Sequence, residues 1–445
     1  MKFVFAALLL SIFVVSLLAQ KADDVLATAT GLSFSPAALS ENGRKLYLGQ
    51  HTVVAGERSQ LLAEMVSELL FNAEAVSRNV PIDSLTAAEI KKIPAPAEAE
   101  FKSVFDANRA AFGTKTVEQV RPQIAKFLRN NAEQKALRDL VVRLKSKYKF
   151  IAGKDINALD LRPVESLFSF TGKAVSAQEF DEQYKAALYD VRAEIAAEII
   201  GDLESSIFSA LVNKEAQTRN IDPGELIAAE ITNKMREFSD DERSLLETAL
   251  RKQLFTKYNV KILVQEPDPV PHNISVDDDP ATGKPAATVT VVMFSDFQCS
   301  ACSATHPVLK TVLGEYGDKV RLVVRDFPLE SVHENAFRAA LAANAARAQN
   351  KYFEYIDILY RNQESLDDAS LKKYAAELGL NIASFELDFS SEKTAAEVRK
   401  DMADGKKYGI GGTPTIYVNG VRLNRLSAEA FRVAIQRALS KSVSK

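Results

Sequence analysis

The sequence predicts a multidomain protein in which two mainly α-helical repeats precede an α/β domain that carries a helical insertion. Long segments between residues 21 and 265 place apolar residues at helical spacing, and these segments resemble one another at a constant offset. A β-branched run from Thr288 to Phe294 then predicts a buried strand. With 445 residues, the chain is too long for one ordinary domain of about 100–200 residues.

The composition excludes several classes of protein. Hydrophobic residues make up 47% and charged residues 26%, which is typical of globular chains and not of disordered ones. Lys plus Arg number 56 against 59 Asp plus Glu, so the net charge is −3 and we predict no nucleic-acid partner. Two cysteines cannot form a disulfide-stapled scaffold. We predict no cofactor and no metal.

The N-terminus has the pattern of a secretory signal peptide, predicted over residues 1–20. Met1-Lys2 supplies a positive start, and an apolar run from Phe3 to Ala19 follows. We therefore expect export to the periplasm or another extracytoplasmic space, where disulfides form and persist. After cleavage no stable membrane insertion is expected; an uncleaved segment would instead be an N-terminal membrane anchor.

The region that follows contains an internal repeat, which predicts module 1 at 21–152 and module 2 at 153–265. Identical residues recur at one constant offset, among them Thr30-Gly31 with Thr171-Gly172, Glu74 with Glu215, Arg78-Asn79 with Arg219-Asn220, and Ala87-Ala88-Glu89-Ile90 with Ala228-Ala229-Glu230-Ile231. The offset is shorter between Tyr148 and Tyr258, so the first copy carries extra residues around Phe105 to Gln134.

Each copy has the same predicted local structure. A strand-like start and a glycine turn lead to a serine, Ser35 or Ser176, that can cap a helix. A long helix then ends at Asn79 or Asn220, residues that tolerate the left-handed conformation. In the first copy Thr86 to Glu89 has the pattern of a capping box and predicts a helix start. Both copies close with a basic helix and a β-prone tail.

The first copy starts with Val25-Leu26-Ala27-Thr28 and closes with the predicted helix Phe127 to Lys147. This pattern resembles that of the helical module that flanks the parvulin domain in SurA-type periplasmic chaperones. It implies binding of extended or unfolded polypeptides without prolyl isomerase activity, because the extra residues are too few for a parvulin domain. A spacer or a dimerisation arm is the alternative interpretation.

A segment rich in proline and aspartate, residues 266–286, separates these modules from the C-terminal domain at 287–445. Its prolines remove backbone donors and stiffen the chain, so we predict a semi-rigid linker.

The two cysteines lie where the predicted strand meets a helix, in the sequence Cys299-Ser300-Ala301-Cys302. Unpaired N–H groups and the helix dipole stabilise negative charge at a helix N-terminus. The first thiol of a C-x-x-C motif there has its pKa lowered to roughly 3.5–7.5. We therefore predict that Cys299 is an exposed thiolate nucleophile and that Cys302, one turn on and facing inward, is the resolving thiol.

A zinc site and a structural disulfide are the two alternative roles of the cysteines. A zinc site would need His306, His272 or His333 to complete four ligands, but no second ligand pair has recognisable spacing. A structural disulfide closing so short a loop would stabilise the fold little. Redox chemistry is the favoured interpretation.

A second motif, Gly411-Gly412-Thr413-Pro414-Thr415, precedes two strands predicted around the Asn419-Gly420 turn. Ser427 is placed to cap a final helix. Taken with the upstream cysteines, this stretch resembles DsbA-like proteins of the thioredoxin superfamily. The resemblance extends to Arg325-Asp326-Phe327-Pro328-Leu329, to Pro307, and to a mostly helical insertion at about 332–400.

That resemblance implies catalytic Cys299 and Cys302, and a cis Thr413-Pro414 bond that aligns a substrate backbone. The sequence departs from the family at two places. Ser300-Ala301 lacks the histidine of strong oxidants, and Met293 stands where relatives often bury an acid. Asp296 is predicted to be a surface cap at the helix start, and assistance of proton transfer is the alternative role.

Together these features predict an exported thiol–disulfide oxidoreductase, an oxidase or isomerase, that acts on cysteines of polypeptides and works with a redox partner protein. The N-terminal modules would bind unfolded substrate. Two alternatives remain at this point: a chaperone or binding protein whose thioredoxin fold is mainly a scaffold, and a dedicated reductase of one partner. Sequence does not decide the direction, which depends on a reduction potential.

Overall fold

The structure, a computed structural model, describes residues 24–276 and 278–443; the predicted signal peptide at 1–20 lies outside these ranges. The chain forms two compact units. The smaller unit is Thr52–Leu188, and the larger unit comprises the residues up to His51 together with those from Tyr189 onward. Both unit boundaries fall within long helices.

From residue 24 to the end of β6, the structure describes eight α-helices and six short strands. The helices are α1 (Glu41–Arg78), α2 (Ile82–Ile90), α3 (Glu98–Ala107), α4 (Arg109–Phe112), α5 (Val117–Lys147), α6 (Ala177–Arg219), α7 (Pro223–Glu230) and α8 (Asp240–Lys257). The strands are β1 (Ala27–Ala29), β2 (Leu32–Phe34), β3 (Ile151–Ala152), β4 (Ser166–Phe170), β5 (Lys173–Ser176) and β6 (Lys261–Ile262).

The bounds of the units differ from those of the predicted modules at 21–152 and 153–265. In the larger unit β1 pairs with both β2 and β6, so the start of module 1 is hydrogen-bonded to the end of module 2. In the smaller unit β3, the tail of module 1, pairs with β4 at the start of module 2. Backbone pairing between distant segments therefore sets the units.

The two units contain matching polar networks on helix ends. In the smaller unit the buried Glu74 accepts hydrogen bonds from Arg78, Lys147 and Tyr148. In the larger unit Glu215 accepts them from the residues at the corresponding positions, Arg219, Lys257 and Tyr258. Asn79 and Asn220 follow the long helices with φ of 54° and 52°, which confirms the predicted left-handed helix ends.

Two predicted helix starts need correction. Thr86 is not an N-cap: it lies within α2, and its hydroxyl donates to the carbonyl oxygens of Ile82 and Asp83. Pro81, which cannot continue a helix backward, is the N-cap residue instead. Ser35 caps only a short 3₁₀ turn at Pro36–Ala38, whereas Ser176 caps α6 as predicted.

The C-terminal part contains a five-stranded sheet flanked by helices. The strands are β7 (Ala281–Thr282), β8 (Val289–Ser295), β9 (Val320–Asp326), β10 (Thr415–Val418) and β11 (Val421–Arg422), in the order β11-β10-β8-β9-β7. The helices are α9 (Ser300–Gly314), α10 (Ala336–Arg347), α11 (Tyr352–Arg361), α12 (Asp368–Glu377), α13 (Ile382–Phe389), α14 (Glu392–Lys407) and α15 (Ala428–Val443). Strands β8 and β9 are parallel, and the other pairs are antiparallel.

The predicted linker at 266–286 is in part an element of this sheet. β7 pairs with β9, and the carboxylate of Asp279 lies 3.1 Å from the guanidinium of the fully buried Arg325. Asp279, one of the acidic residues of the predicted linker, is therefore paired with a buried cation inside the domain. The predicted helical insertion is present as α10–α14, and Asn419-Gly420 forms the predicted turn with both φ angles positive.

Within residues 24–276 and 278–443, no helix combines the length and apolarity needed to cross a membrane.

Candidate active site

The candidate site is built where β8 ends and α9 begins. Every residue of β8 except Thr290 is buried, so this strand fixes the position of the following loop. Cys299 is the N-cap residue of α9, with φ −77° and ψ 120°, and its carbonyl oxygen accepts from the N–H groups of Cys302 and Ser303. The first cysteine thus lies at a helix N-terminus, whose free N–H groups and dipole favour an anion.

Cys299 is less exposed than predicted. Only 9% of its surface is accessible, because the loop before β10 covers it. Its sulfur lies 3.4 Å from the carbonyl oxygen of Thr413, and the Thr413–Pro414 peptide bond is cis. The structure therefore brings together the four residues predicted for the site: Cys299, Cys302, Thr413 and Pro414.

The pKa of the Cys299 thiol is lowered to about 5. The main cause is the hydrogen bond from Cys302, which outweighs the opposing effect of burial. Thr413 and the backbone N–H groups of Cys302 and Ala301 lower it further. At neutral pH this sulfur is a thiolate, the nucleophilic form of cysteine.

Cys302 has the opposite character. Its sulfur has no accessible surface, and both cysteines are free thiols in the structure. Burial, and then the neighbouring Cys299, raise the pKa of Cys302 above its ordinary value. One thiol is thus held as an anion and its neighbour is held protonated.

A pair of buried hydroxyls connects the end of β8 to α11. Ser295 Oγ and Tyr360 Oη are 2.6 Å apart, and both residues are buried. The Tyr360 ring packs against Phe297 and against His306 at centroid distances of 5.4 and 5.0 Å. Sequence reasoning missed this pair because Tyr360 lies on α11, and no local pattern connects it to Ser295.

The amide of Gln363 holds the loop from the other side. Its Nε2 donates to the carbonyl oxygens of Phe297 and Cys299, at 3.0 and 2.9 Å. This residue too was not identified from the sequence.

The prediction that Asp296 is a surface cap is wrong. Asp296 is 1% exposed, and its carboxylate accepts hydrogen bonds from the N–H groups of Gln298 and Leu329 at 2.7 and 2.8 Å. Its Oδ2 also lies 2.8 Å from His333 Nδ1. The carboxylate therefore connects the cysteine loop to the segment after β9.

The histidines weighed as zinc ligands lie apart from one another. His306 is buried against Tyr360, His333 contacts Asp296, and His272 Nε2 lies 2.7 Å from Asp190. Burial lowers the pKa of His306, which favours its neutral form. Among the described residues, no group of three or more His, Cys, Asp or Glu side chains is arranged to hold a metal ion.

A family model described as thioredoxin matches residues 275–437. The curated relatives include Na(+)/H(+) antiporter NhaA 1 of Mycolicibacterium gilvum, 34% identical over 151 residues, which covers 34% of this chain and 24% of that protein. Na(+)/H(+) antiporter NhaA 3 of Salinispora tropica is 34% identical over 168 residues, 38% of this chain and 26% of that protein. The chain spans about a quarter of the length of these relatives.

Two solved structures are similar to part of the chain. A thioredoxin-like oxidoreductase from Silicibacter pomeroyi is 28% identical, with a TM-score of 0.34 and coverage of 36% of this chain and 92% of that chain. BdbD from Bacillus subtilis is 22% identical, with a TM-score of 0.35 and coverage of 39% and 100%. Residues 275–437 form a thioredoxin-like domain.

Proposed function

We propose that this chain is an exported thiol–disulfide oxidoreductase that acts on cysteines of polypeptide substrates. The observation that carries the proposal is the opposed chemistry of two adjacent thiols. Cys299 has a pKa lowered to about 5 at a helix N-terminus, while burial raises the pKa of Cys302. A nucleophilic thiolate beside a protonated thiol is the pairing that disulfide exchange requires.

In the donor direction, a substrate thiolate attacks Cys299 Sγ of the Cys299–Cys302 disulfide. The S–S bond breaks, its electron pair passes to Cys302, and a mixed disulfide forms at Cys299. A second substrate thiolate then attacks the substrate sulfur of that mixed disulfide. Cys299 leaves as a stabilised thiolate, the substrate keeps the new disulfide, and a redox partner protein reoxidises the dithiol.

Thr413 and Pro414 are the proposed substrate-binding residues. The Thr413 carbonyl oxygen lies beside the Cys299 sulfur, so a chain that reaches this sulfur passes along the same loop. An extended substrate segment can pair with such backbone edges.

We also propose that the two helical segments are copies of one SurA-like module that binds unfolded polypeptide. The matching contacts of Glu74 and Glu215 support a common origin. The smaller unit also presents large apolar side chains to solvent, including Val76, Phe127, Val142, Leu159 and Val164. Substrate held there would have a raised effective concentration at the cysteines.

The test is disulfide exchange on insulin by the full-length protein and by a Cys299→Ser variant. We expect the variant to be inactive and Cys302→Ala to accumulate a mixed disulfide, detected by mass spectrometry. Activity that survives Cys299→Ser would refute the catalytic assignment. The reduction potential in a glutathione buffer then separates an oxidase or isomerase from a dedicated reductase.

The exposed apolar residues favour a second candidate, a chaperone in which redox chemistry is minor. For that candidate, the Cys299→Ser variant should suppress aggregation of a cysteine-free client as well as the unmodified protein does. Neither the variant nor the unmodified protein should catalyse disulfide exchange. Replacing Phe127, Val142 and Leu159 by serine should abolish the suppression. The cysteine variant and the surface variant therefore report on separate activities.

A further inference from the structure

The two helical segments differ in how the short helix after the long one is held. In the smaller unit the carboxylate of Glu89 on α2 accepts a hydrogen bond from Arg143 on α5, at 2.9 Å. In the larger unit Glu230, the repeat of Glu89, pairs instead with Arg219 on α6, at 3.0 Å. At the offset of the closing helices, Gln253 stands in place of Arg143. Among the described residues, the ion pair that joins α2 to α5 therefore has no counterpart between α7 and α8.

An open cavity of about 330 Å³ lies among α6, α7 and α8, and we call it the α6–α8 cavity. Its apolar lining consists of Phe208, Ile227 and Ile231, which are buried or half-buried. The guanidinium of Arg251 lies 4.8 Å from the centroid of the Phe208 ring. Its volume is at the lower end of the range of about 300–1,000 Å³ for ligand pockets, so it suits individual side chains rather than a folded partner.

The charged side chains that line the cavity are two arginines and one glutamate on α8. Arg243, Glu247 and Arg251 follow one another at intervals of four residues, so they share one face of the helix. Glu247 compensates Arg251, whose Nη2 lies 3.0 Å from its carboxylate. The adjacent Glu242 accepts hydrogen bonds from backbone N–H groups of residues 236–238. No other described side chain forms an ion pair with Arg243, so the lining keeps one uncompensated positive charge.

We propose that the α6–α8 cavity binds unfolded polypeptide at a large apolar side chain that has a carboxylate beside it in the sequence. The inference deepens the proposed substrate-binding role of the helical segments and rests on it. The apolar side chain would lie against Phe208, Ile227 and Ile231. The carboxylate would accept charge-assisted hydrogen bonds from Arg243.

This lining implies a preference among unfolded segments. An apolar surface alone binds apolar side chains without regard to their neighbours, because the hydrophobic effect is not directional. The charge of Arg243 at the same cavity favours segments with aspartate or glutamate next to the apolar residue and disfavours segments with lysine or arginine there.

The test measures binding of labelled peptides to the full-length protein by fluorescence anisotropy. The reference peptide is Gly-Ser-Asp-Phe-Asp-Ser-Gly, which contains no cysteine and therefore binds without disulfide exchange. Alanine in place of its phenylalanine should weaken binding by at least about 10-fold, because an apolar side chain is no longer buried. Asparagine in place of both aspartates should weaken binding by about 10-fold, the lower end for a hydrogen bond between charged groups.

Variants of Arg243 test the charge. Arg243→Gln should weaken binding of the aspartate peptide by about 10-fold and leave the asparagine peptide unchanged. Lys252→Gln makes the same change of charge at an exposed position of α8 outside the cavity and should have no effect. Arg243→Glu should bind a peptide with lysines in place of the aspartates more tightly than the unmodified protein does. A misfolded variant cannot give that gain.

A variant that fills the cavity tests the location. Ser209 is an exposed residue of α6 on the cavity lining, so Ser209→Trp places a large ring there without displacing the buried core. It should weaken binding of all of the peptides. Ser244→Trp adds the same ring at an exposed position of α8 that does not line the cavity and should leave binding unchanged.

Equal affinities for the aspartate and asparagine peptides would overturn the proposal, as would unchanged binding in Ser209→Trp. Displacement of the reference peptide by an equal concentration of octanoate would also overturn it, in favour of a site for small amphipathic acids. Failure of the proposed binding role looks different. In that case the unmodified protein binds none of the peptides and does not suppress aggregation of a cysteine-free client.

Discussion

The Cys299 sulfur lies 3.4 Å from the carbonyl oxygen of Thr413, although the two residues are 114 positions apart in the chain. This contact joins the helix N-terminus that carries the reactive thiol to the loop that would receive substrate. Cys299 is only 9% exposed, so most of its surface is shielded from solvent.

The first prediction concerns the pH dependence of Cys299 alkylation. Because the pKa of this thiol is lowered to about 5, its thiolate form is present above that pH and is lost below it. The rate of reaction with iodoacetamide should rise to a plateau with a midpoint near pH 5, and the buried Cys302 should stay unmodified. Mass spectrometry of the alkylated protein checks both. A midpoint near 8.5, the value of an ordinary cysteine, would contradict the assignment.

A pair of variants tests the cause of that lowered pKa. The hydrogen bond from Cys302 is its largest contribution, so Cys302→Ala should move the alkylation midpoint upward. Cys302→Ser keeps a donor at the same place and should move it less. Equal midpoints in the two variants would show that the hydrogen bond is not the cause.

Gln363 is predicted to stabilise the cysteine loop through two hydrogen bonds to the Phe297 and Cys299 carbonyl oxygens. Gln363→Ala should lower the free energy of unfolding by about 1–3 kcal/mol, because two hydrogen bonds of about 0.5–1.5 kcal/mol each are lost. Gln363→Glu should cost more, since a carboxylate then faces two carbonyl oxygens. Urea unfolding of the full chain measures the change, and a Glu variant as stable as the unmodified protein would refute the role.

Arg325 should be among the most sensitive positions of the thioredoxin-like domain. Its guanidinium is fully buried, hydrogen-bonded to Asp401 and Asp404, and paired with Asp279. Arg325→Met leaves buried carboxylates without their cation and should cost about 3–5 kcal/mol of unfolding free energy. Arg338→Met, which breaks the exposed pair with Asp368, is the matched control and should cost about 0–1 kcal/mol. Similar losses in the two variants, measured by urea unfolding, would contradict this.

We expect the larger unit to lose stability in acid because of Glu215. Burial alone would raise its pKa, but hydrogen bonds from Lys257, Arg219 and Tyr258 outweigh burial and lower the pKa to about 2. A carboxylate with a depressed folded-state pKa stabilises the fold above its unfolded pKa of about 4.3, and this stability is lost as pH falls toward 2. The protection factors of α8 and β6 amides, which correct hydrogen exchange for the intrinsic effect of pH, should therefore fall over this range.

Glu215→Gln should lower the protection of these amides against hydrogen exchange at pH 7. It should also remove most of the difference in protection between pH 7 and pH 3. Glu74→Gln makes the same change in the smaller unit and should affect the amides of α5 and β3 instead. A Glu215→Gln protein that keeps the full acid response would locate the titrating group elsewhere.

Sequence patterns predicted those features that depend on neighbouring residues. The strand before Cys299, the helix after it, the Asn419-Gly420 turn and the helix ends at Asn79 and Asn220 each follow from local backbone preferences. The position of the C-x-x-C at a helix N-terminus belongs to the same group. The helical insertion and the two candidate cysteines were identified for this reason.

Tertiary structure decided which distant groups meet. The position of Asp296 at the helix start predicts a surface cap, yet the residue is buried and its carboxylate contacts Leu329 and His333. Likewise, Ser295 and Tyr360 meet only because the fold brings α11 next to the end of β8. The pairing of β1 with β6 joins the start of predicted module 1 to the end of predicted module 2. It has the same origin, since backbone pairing is not specified by the residues that flank either strand. Local structure is determined by adjacent residues, whereas hydrogen bonds between remote segments form only after the chain has packed.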